Sequence, residues 1–320
     1  MSYPSEITET FMKFLPDIDA VQNIRSTPTP TLRASSPEIE DILFRFAPVL
    51  DHGFLRVIDY MGNDEAIVQA ARVSYGRGTS TKMPSKTLIR YLMRHRHTSP
   101  FEMCEIKFHI KMPIFIARQW LRHRMASVNE YSARYSILDA EFYIPEPEHL
   151  CVQSQDNKQG RGEVLDHETA MQVIDMLKRD AANNYVTYNK LLGEDGCNLS
   201  RELARINLTL NTYTQMYWKI DLHNLLHFIG LRSDSHAQYE IRAYSDLIAQ
   251  IVSKWTPLAY GAFADYRQNA FTLSGPMLKM LNAYLTTNTP QDPKSYGLSS
   301  RETKELLAAV NIPVCNTPAS

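Results

Sequence analysis

Residues 105–127 read EIKFHIKMPIFIARQWLRHRMAS, and the two periodicities in this stretch decide the fold class. The first eight residues alternate without error: Ile106, Phe108, Ile110 and Met112 are apolar, while Glu105, Lys107, His109 and Lys111 are polar. A period of two over that length predicts a strand with one buried face. Pro113 suits the first position of a following helix, where its missing N–H costs nothing. From there Ile114, Ala117, Leu121 and Met125 recur at helical spacing, predicting a helix over residues 114–127 with one apolar stripe.

The elements further along are equally mixed. Ser200 is placed to cap a short helix that ends at residues 203–206. Residues 210–219, rich in Thr, Tyr and Trp, predict a strand. Asp221 is placed to cap a helix whose stripe is Leu222, Leu225, Leu226 and Ile229. Residues 235–255 predict a long helix with Ala237, Ile241, Tyr244, Ile248 and Val252 on one face. Strands and helices without regular β-α-β alternation point to an α+β fold. Residues 26–38 (STPTPTLRASSPE) predict an extended linker behind an N-terminal arm, because Pro28 and Pro30 remove donors and fix φ. Residues 153–162 and 286–300 read as loops, and a short helical tail follows from Arg301.

Composition narrows the function. The 320 residues are 44% hydrophobic and 22% charged with a net charge of −1, so any phosphate binding must come from local clusters of Arg, Lys and His. No apolar run approaches the length that spans a bilayer, and residues 1–10 lack the apolar core of a signal peptide. Cys104, Cys151, Cys197 and Cys315 form no C-x-x-C pair, the pattern of reduced thiols in a cytoplasmic protein.

Two constellations carry candidate chemistry. On the predicted helix, Gln119 stands three and four residues before Arg122 and His123, so the three can converge on one ligand. Arg124 and the run SVNEYSARYS (127–136), with Asn129, Glu130, Ser132 and Arg134, follow. Guanidinium forks hold phosphate bidentately, and a carboxylate among them can hold a ribose or orient a base. The tripeptide alone proves little, because Arg94-His95-Arg96 is a second Arg-His-Arg. The other constellation is Asp221, His223, His227, Arg232 and His236. His223 and His227 lie one helical turn apart, but HNLLH lacks the Glu of a zinc hydrolase, so no metal is assigned. Gly230, beside that histidine face, predicts a close approach by a ligand or another backbone.

The stretch RQWLRHRMASVNEYSARYS (118–136) resembles the signature of flavin-dependent thymidylate synthases: Arg-His-Arg, seven residues, then Ser, here Arg122-His123-Arg124 and Ser132. The upstream tripeptide fails that spacing, since Cys104 stands where Ser is required. ARVSYG (71–76), HTSPFE (97–102), ELARINLTLNTYTQMYW (202–218) and LRSDSHAQYE (231–240) resemble the family in the family's order, over residues 54–266.

The resemblance implies an α+β fold with a mainly antiparallel sheet, in a domain over residues 51–270 between the arm (1–50) and a C-terminal extension (271–320). It implies methylation of dUMP to dTMP, with 5,10-methylenetetrahydrofolate as carbon donor and NADPH reducing a bound FAD. It also implies a homotetramer whose sites are shared between subunits. Carried over by position, Ser74, Ser99, Arg122, His123, Arg124, Glu130, Asp221, Leu222, His223, His227 and His236 would contact the flavin cofactor. Gln119, Arg122, Glu130, Tyr131, Ser132, Ala133, Arg134 and Arg205 would hold the nucleotide, and Arg232 would face the uracil ring as the catalytic residue. No cysteine sits in these basic blocks, so the ring is expected to be activated electrostatically, without a thiolate, and Ser132 to bind and not to attack. Some members carry Asn at positions 221 and 227, Arg at 223 and Gly at 133; Ala133 keeps main-chain contacts if its φ is negative. A basic nucleic-acid-binding helix and a His-dependent metal phosphohydrolase are the competing readings; the near-neutral charge argues against the first.

Overall fold

A computed structural model describes residues 32–73, 83–155 and 160–314 of the chain. Along the chain run α1 (Pro37–Glu40), β1 (Ala47–Val49), β2 (Gly53–Met61), α2 (Asp64–Val73), α3 (Ser85–Arg94), α4 (Ser99–Glu102), β3 (Glu105–Pro113), α5 (Ile114–Trp120) and β4 (Ser127–Glu130). Then come β5 (Cys151–Gln153), β6 (Arg161–Val164), α6 (His167–Leu192), α7 (Arg201–Ala204), β7 (Tyr213–Asp221), α8 (Leu222–Arg232), α9 (Tyr239–Trp255) and α10 (Pro257–Phe263). Two helices, α11 (Gly275–Thr287) and α12 (Ser300–Ala309), close the described chain. The chain divides into two compact units, Met1–Phe263 and Ala264–Ser320.

The first unit is built on a sheet of order β1-β2-β3-β7-β4 whose pairings are all antiparallel. The alternation read in residues 105–112 is the pattern observed: Ile106, Phe108, Ile110 and Met112 are fully buried and their polar neighbours half-buried. β3 pairs with β7 along its whole length, so Phe108 lies opposite Trp218 and His109 opposite Tyr217. Below the apolar face, Trp120, Trp218, Phe228 and Tyr244 form an aromatic core. Ring centroids there are 4.6 Å apart for Trp120–Phe228, 5.1 Å for Trp120–Trp218 and 5.9 Å for Trp120–Tyr244. Such rings bury the largest areas in a core and hold their mutual geometry. Tyr244 also donates to the Lys111 carbonyl at 2.6 Å, tying α9 to β3. Its hydroxyl requires Gly53, where an added Cβ would lie 2.1 Å away.

The predicted elements are present, with boundary corrections. The helix after β3 is only Ile114–Trp120, and Pro113 is its N-cap residue, still paired with Tyr213 in the sheet. Ile116, Ala117 and Trp120 face the core, whereas Leu121 is 39% and Met125 70% exposed, so further turns would bury nothing. Arg122, His123 and Arg124 therefore leave the helix end, where the two arginine cations complement the macrodipole, and residues 127–130 become the edge strand β4. The strand expected at 210–219 begins at Tyr213, because a turn with Thr212 N–H on the Thr209 carbonyl occupies its start. Ser200 stands at the N-cap of α7 without a side-chain cap bond. Asp221 caps α8 as expected, accepting from Asn224 N at 2.9 Å, and the α8 stripe is buried.

The long helix starts at Tyr239, four residues later than read. The 26–38 linker ends in helix, since Pro37 occupies the first position of α1; residues 26–31 lie outside the described set. Of the 153–162 loop, residues 156–159 lie outside the described set, and its ends belong to β5 and β6, which pair antiparallel as a hairpin. Within HTSPFE, residues Ser99–Glu102 form α4.

In the second unit Met277, Met280, Leu298 and Leu306 form a small core of their own. Ser299 and Glu302 make a reciprocal capping box at the start of α12. No helix among the described residues is long and apolar enough to cross a membrane.

Candidate active site

The candidate residues fall into two groups at opposite ends of α5. At its start, Ile114 joins Glu130, Tyr131, Ser132, Ala133 and Arg205 around a cavity of about 320 Å³, closed by Leu138, Leu208, Thr209 and Thr214. β4 places Glu130 at its end, where Oε1 accepts from the Thr214 hydroxyl at 2.9 Å. Tyr131 is held by its N–H on the Gln215 carbonyl at 2.8 Å, which continues the sheet pairing by one residue. Ser132 Oγ accepts from Arg134 N at 3.3 Å, and Ala133 is buried with no positive φ, so its main chain can serve a ligand as glycine would. The Arg134 guanidinium lies at the rim in an exposed pair with Glu202 at 3.1 Å. Thr209 Oγ1, buried in this wall, has no hydrogen-bond partner.

At the other end of α5, roughly 8 Å along the axis from Ile114 to Gln119 at the usual helical rise, the second group gathers. Gln119 donates its side-chain amide to Gln238. Arg232, on the last turn of α8, donates Nε to His123 Nε2 at 3.1 Å and Nη2 to the Gln119 carbonyl at 3.4 Å. Burial first, then Arg232 and then His227, pushes the His123 imidazole down to about 4. His123 is therefore neutral near pH 7 and accepts at Nε2, which puts its own proton on Nδ1. The His123 and His227 rings lie 6.0 Å apart. Burial also lowers the Arg232 guanidinium from its ordinary value, yet an arginine keeps its charge.

The remaining positions vary in what they can offer. Arg122 and Arg124 are exposed and pair with no carboxylate among the described residues. Asp221 spends both oxygens on Asn224, accepting from its N at 2.9 Å and its side-chain amide at 2.7 Å. Leu222 is fully buried and its N–H donates to the Cys104 carbonyl at 2.8 Å, so neither its side chain nor its N–H is presented to a ligand. His223 is half-buried, and Ser99 is exposed at the start of α4, which packs beside α8. His236 is 85% exposed and bonded to Asp234 at 2.8 Å. Ser74 lies outside the described residues. No backbone among the described residues closely approaches Gly230: an added Cβ would meet only the Phe263 ring, at an ordinary 3.7 Å.

Sequence reasoning missed Thr214 and Gln238, the partners of Glu130 and Gln119. Gln238 lies inside the LRSDSHAQYE block, so the signal was present; Thr214 carries none beyond its strand. Cys104 is fully buried, and burial, then Asp64, pushes its thiol up to about 12. It is no thiolate at neutral pH.

Residues 56–258 match a family profile described as "Thymidylate synthase complementing protein". A flavin-dependent thymidylate synthase of Gluconobacter oxydans (strain 621H) is 58% identical over 287 residues, covering 90% of this chain and 94% of the relative. The enzyme of that name from Ruegeria pomeroyi is 56% identical over 292 residues, covering 91% and 95%. Among solved structures, the UMP/dUMP methylase PolB from Streptomyces cacaoi, bound with 5-Br UMP, superposes with a TM-score of 0.63 at 32% identity. It covers 69% of this chain and 98% of PolB. An antiparallel α+β core with two basic clusters around one short helix thus defines a nucleotide-methylating class. The chain belongs to the flavin-dependent thymidylate synthase family.

Proposed function

We propose that the protein reductively methylates dUMP to dTMP, with FAD as its flavin, 5,10-methylenetetrahydrofolate as carbon donor and NADPH as reductant. The observation that carries this reading is the sorting of family-matched residues into a cavity fit for a nucleotide and a separate, neutral-His–Arg cluster. In the cavity, Ser132, the Ala133 main chain, Arg134 and Arg205 hold the nucleotide phosphate, and Glu130 and Tyr131 orient the sugar. Arg122 completes this set.

The donor set fits a flavin dinucleotide: Arg122 and Arg124, free of carboxylates among the described residues, suit its diphosphate. His123, His227 and His236, with Ser99 and His223, offer donors and acceptors along it. Bound FAD supplies a hydride. Arg232 faces the uracil ring and favours ionisation at N3, so no protein nucleophile is needed. His123, neutral and accepting, fixes the guanidinium for that task.

One nucleotide has to meet both groups, yet they occupy opposite ends of α5. This supports a homotetramer in which Arg232, Gln119 and His123 of one subunit complete the Glu130–Arg205 cavity of another. The free thiols of Cys104, Cys151 and Cys197 are in keeping with a cytoplasmic enzyme. Rescue of a thymidine-requiring strain tests the reading. The gene should restore growth without thymidine and its Arg232→Ala form should not; failure of the unaltered gene, with protein expressed and folded, defeats it.

A further inference from the structure

A second cavity, of about 520 Å³, opens between the β5–β6 hairpin and the segment leading into α9. Its polar wall is Gln153, Arg161, Ser235, His236, Gln238 and Arg242, and no carboxylate lines it among the described residues. Only His236 among these belongs to the assigned site. Arg161 is set in place by Glu240, whose side chain is only 8% exposed and accepts from it at 3.0 Å. The other Glu240 oxygen accepts from Tyr143 at 3.2 Å. The hairpin side is further pinned by His149, stacked on Tyr239 with centroids 3.5 Å apart. A buried carboxylate is costly unless paired, so this acid is committed to holding one guanidinium at the cavity wall.

Arg242 donates to the Ser235 carbonyl at 3.2 Å and has no carboxylate partner among the described residues, so its charge remains available to a ligand. The cavity is far larger than a single ion requires and lies in the range of small-molecule pockets. Its wall also includes Gln238, the partner of Gln119, so a molecule reacting at the nucleotide has this cavity within reach.

We propose that this cavity is an anion pocket that takes the charged tail of one co-substrate, either the glutamate carboxylates of the folate or the 2′-phosphate of the nicotinamide dinucleotide. The inference rests on the thymidylate synthase reading above. Arg242 is the primary contact. Arg161 is the second, positioned by Glu240, and Gln153 and Ser235 supply neutral hydrogen bonds.

The test is calorimetric binding to the FAD-loaded full chain, with two matched ligand pairs: NADP+ against NAD+, and tetrahydrofolate against tetrahydropteroate, which lacks the glutamate. In Arg242→Gln, one tailed ligand should lose about tenfold in affinity, as removal of a charge-assisted hydrogen bond gives, while its tail-less counterpart is unchanged. The pair that responds identifies the tail, and Arg242→Lys should recover part of the loss. Because Arg161→Gln alone orphans a buried acid, the double variant Arg161→Gln/Glu240→Gln serves as the second probe and should weaken the same ligand. Unchanged affinities in both pairs, or equal loss by tailed and tail-less members, overturn the proposal. Wild-type protein that binds neither pair and forms no dTMP refutes the underlying function instead.

Discussion

Replacing Arg232 by Ala separates catalysis from cofactor retention and from folding. The guanidinium makes two polar contacts, to His123 Nε2 and to the Gln119 carbonyl, both within one cluster. It anchors no sheet or core element, so the variant should fold. Loss of a preorganised charged donor at a reacting ring costs about 3–4 kcal/mol in the transition state, or about 10²–10³ in kcat/KM. Flavin content should stay near that of the wild type, because the donors proposed for FAD lie on other residues.

An independent signature sits on His123. Its imidazole is held down to about 4 by burial first and Arg232 second, so removing Arg232 should let it rise while burial keeps it below 6.5. Steady-state dTMP formation, the flavin absorbance of the purified protein and an NMR titration of His123 read the three effects. Turnover within about threefold of wild type would refute the assignment of Arg232 to the ring. A parallel loss of flavin would show that it acts through the cofactor, and an unmoved His123 would contradict the geometry.

Cys104→Ala should retain turnover, since that thiol is buried and pushed up to about 12; a folded variant without activity would restore a thiolate mechanism. Stability should fall on acidification: His109 and His123 are both pushed down to about 4, so the unfolded chain binds more protons between pH 6.5 and 4. The stabilisation is complete above 6.5 and lost as pH falls through 4, about 1–2 kcal/mol per histidine after discounting for partial exposure. Urea midpoints across that window, in wild type and His109→Gln, measure it; identical slopes would remove His109 from the account. Co-expressed Arg232→Ala and Glu130→Ala chains, each inactive alone, should regain up to about a quarter of wild-type activity if each site draws on two subunits. No recovery in verified mixed oligomers would place the whole site on one chain.

The fold was legible wherever a periodic pattern coincided with burial. β3 could be read residue by residue because each second side chain goes to 0–1% exposure and the others do not. The helix after it was overextended because Leu121 and Met125 keep the spacing of a core stripe, although nothing packs over them. Periodicity registers side-chain type, not the presence of a partner surface. The hairpin of β5 and β6 escaped for a different reason: its strands are three and four residues long and almost wholly exposed, so no alternation between core and solvent marks them. Within the site, the contiguous block 130–133, grouped by the family resemblance, lines one cavity. Pairings such as Glu130 with Thr214, 84 positions apart, could not be read, because no local pattern encodes them.

The neutrality of His123 joins these threads. A protonated imidazole would repel Arg232 and have no lone pair at Nε2 to accept its Nε–H, so the cluster holds together only with a neutral ring. The same arrangement at His109 shows that the chemistry is general in this fold. Arg56 Nε donates to His109 Nδ1 at 3.0 Å, which assigns the remaining proton to Nε2 and its bond to Gln215 at 2.9 Å. At His109 the motif is structural, stacked on Tyr217 and met edge-on by Phe54 on the sheet. At His123 it lies at the end of a seven-residue helix, beside exposed Arg122 and Arg124 and a half-buried Arg232. Arg232 bonds the neutral base, Arg122 and Arg124 flank it in sequence, and all three lack carboxylate partners among the described residues. In the proposed function, the flavin diphosphate and the nucleotide would bring anions to these arginines. The seven residues between Arg-His-Arg and Ser132 have a physical meaning: they carry the chain from the helix end along β4 into the cavity that Ser132 lines.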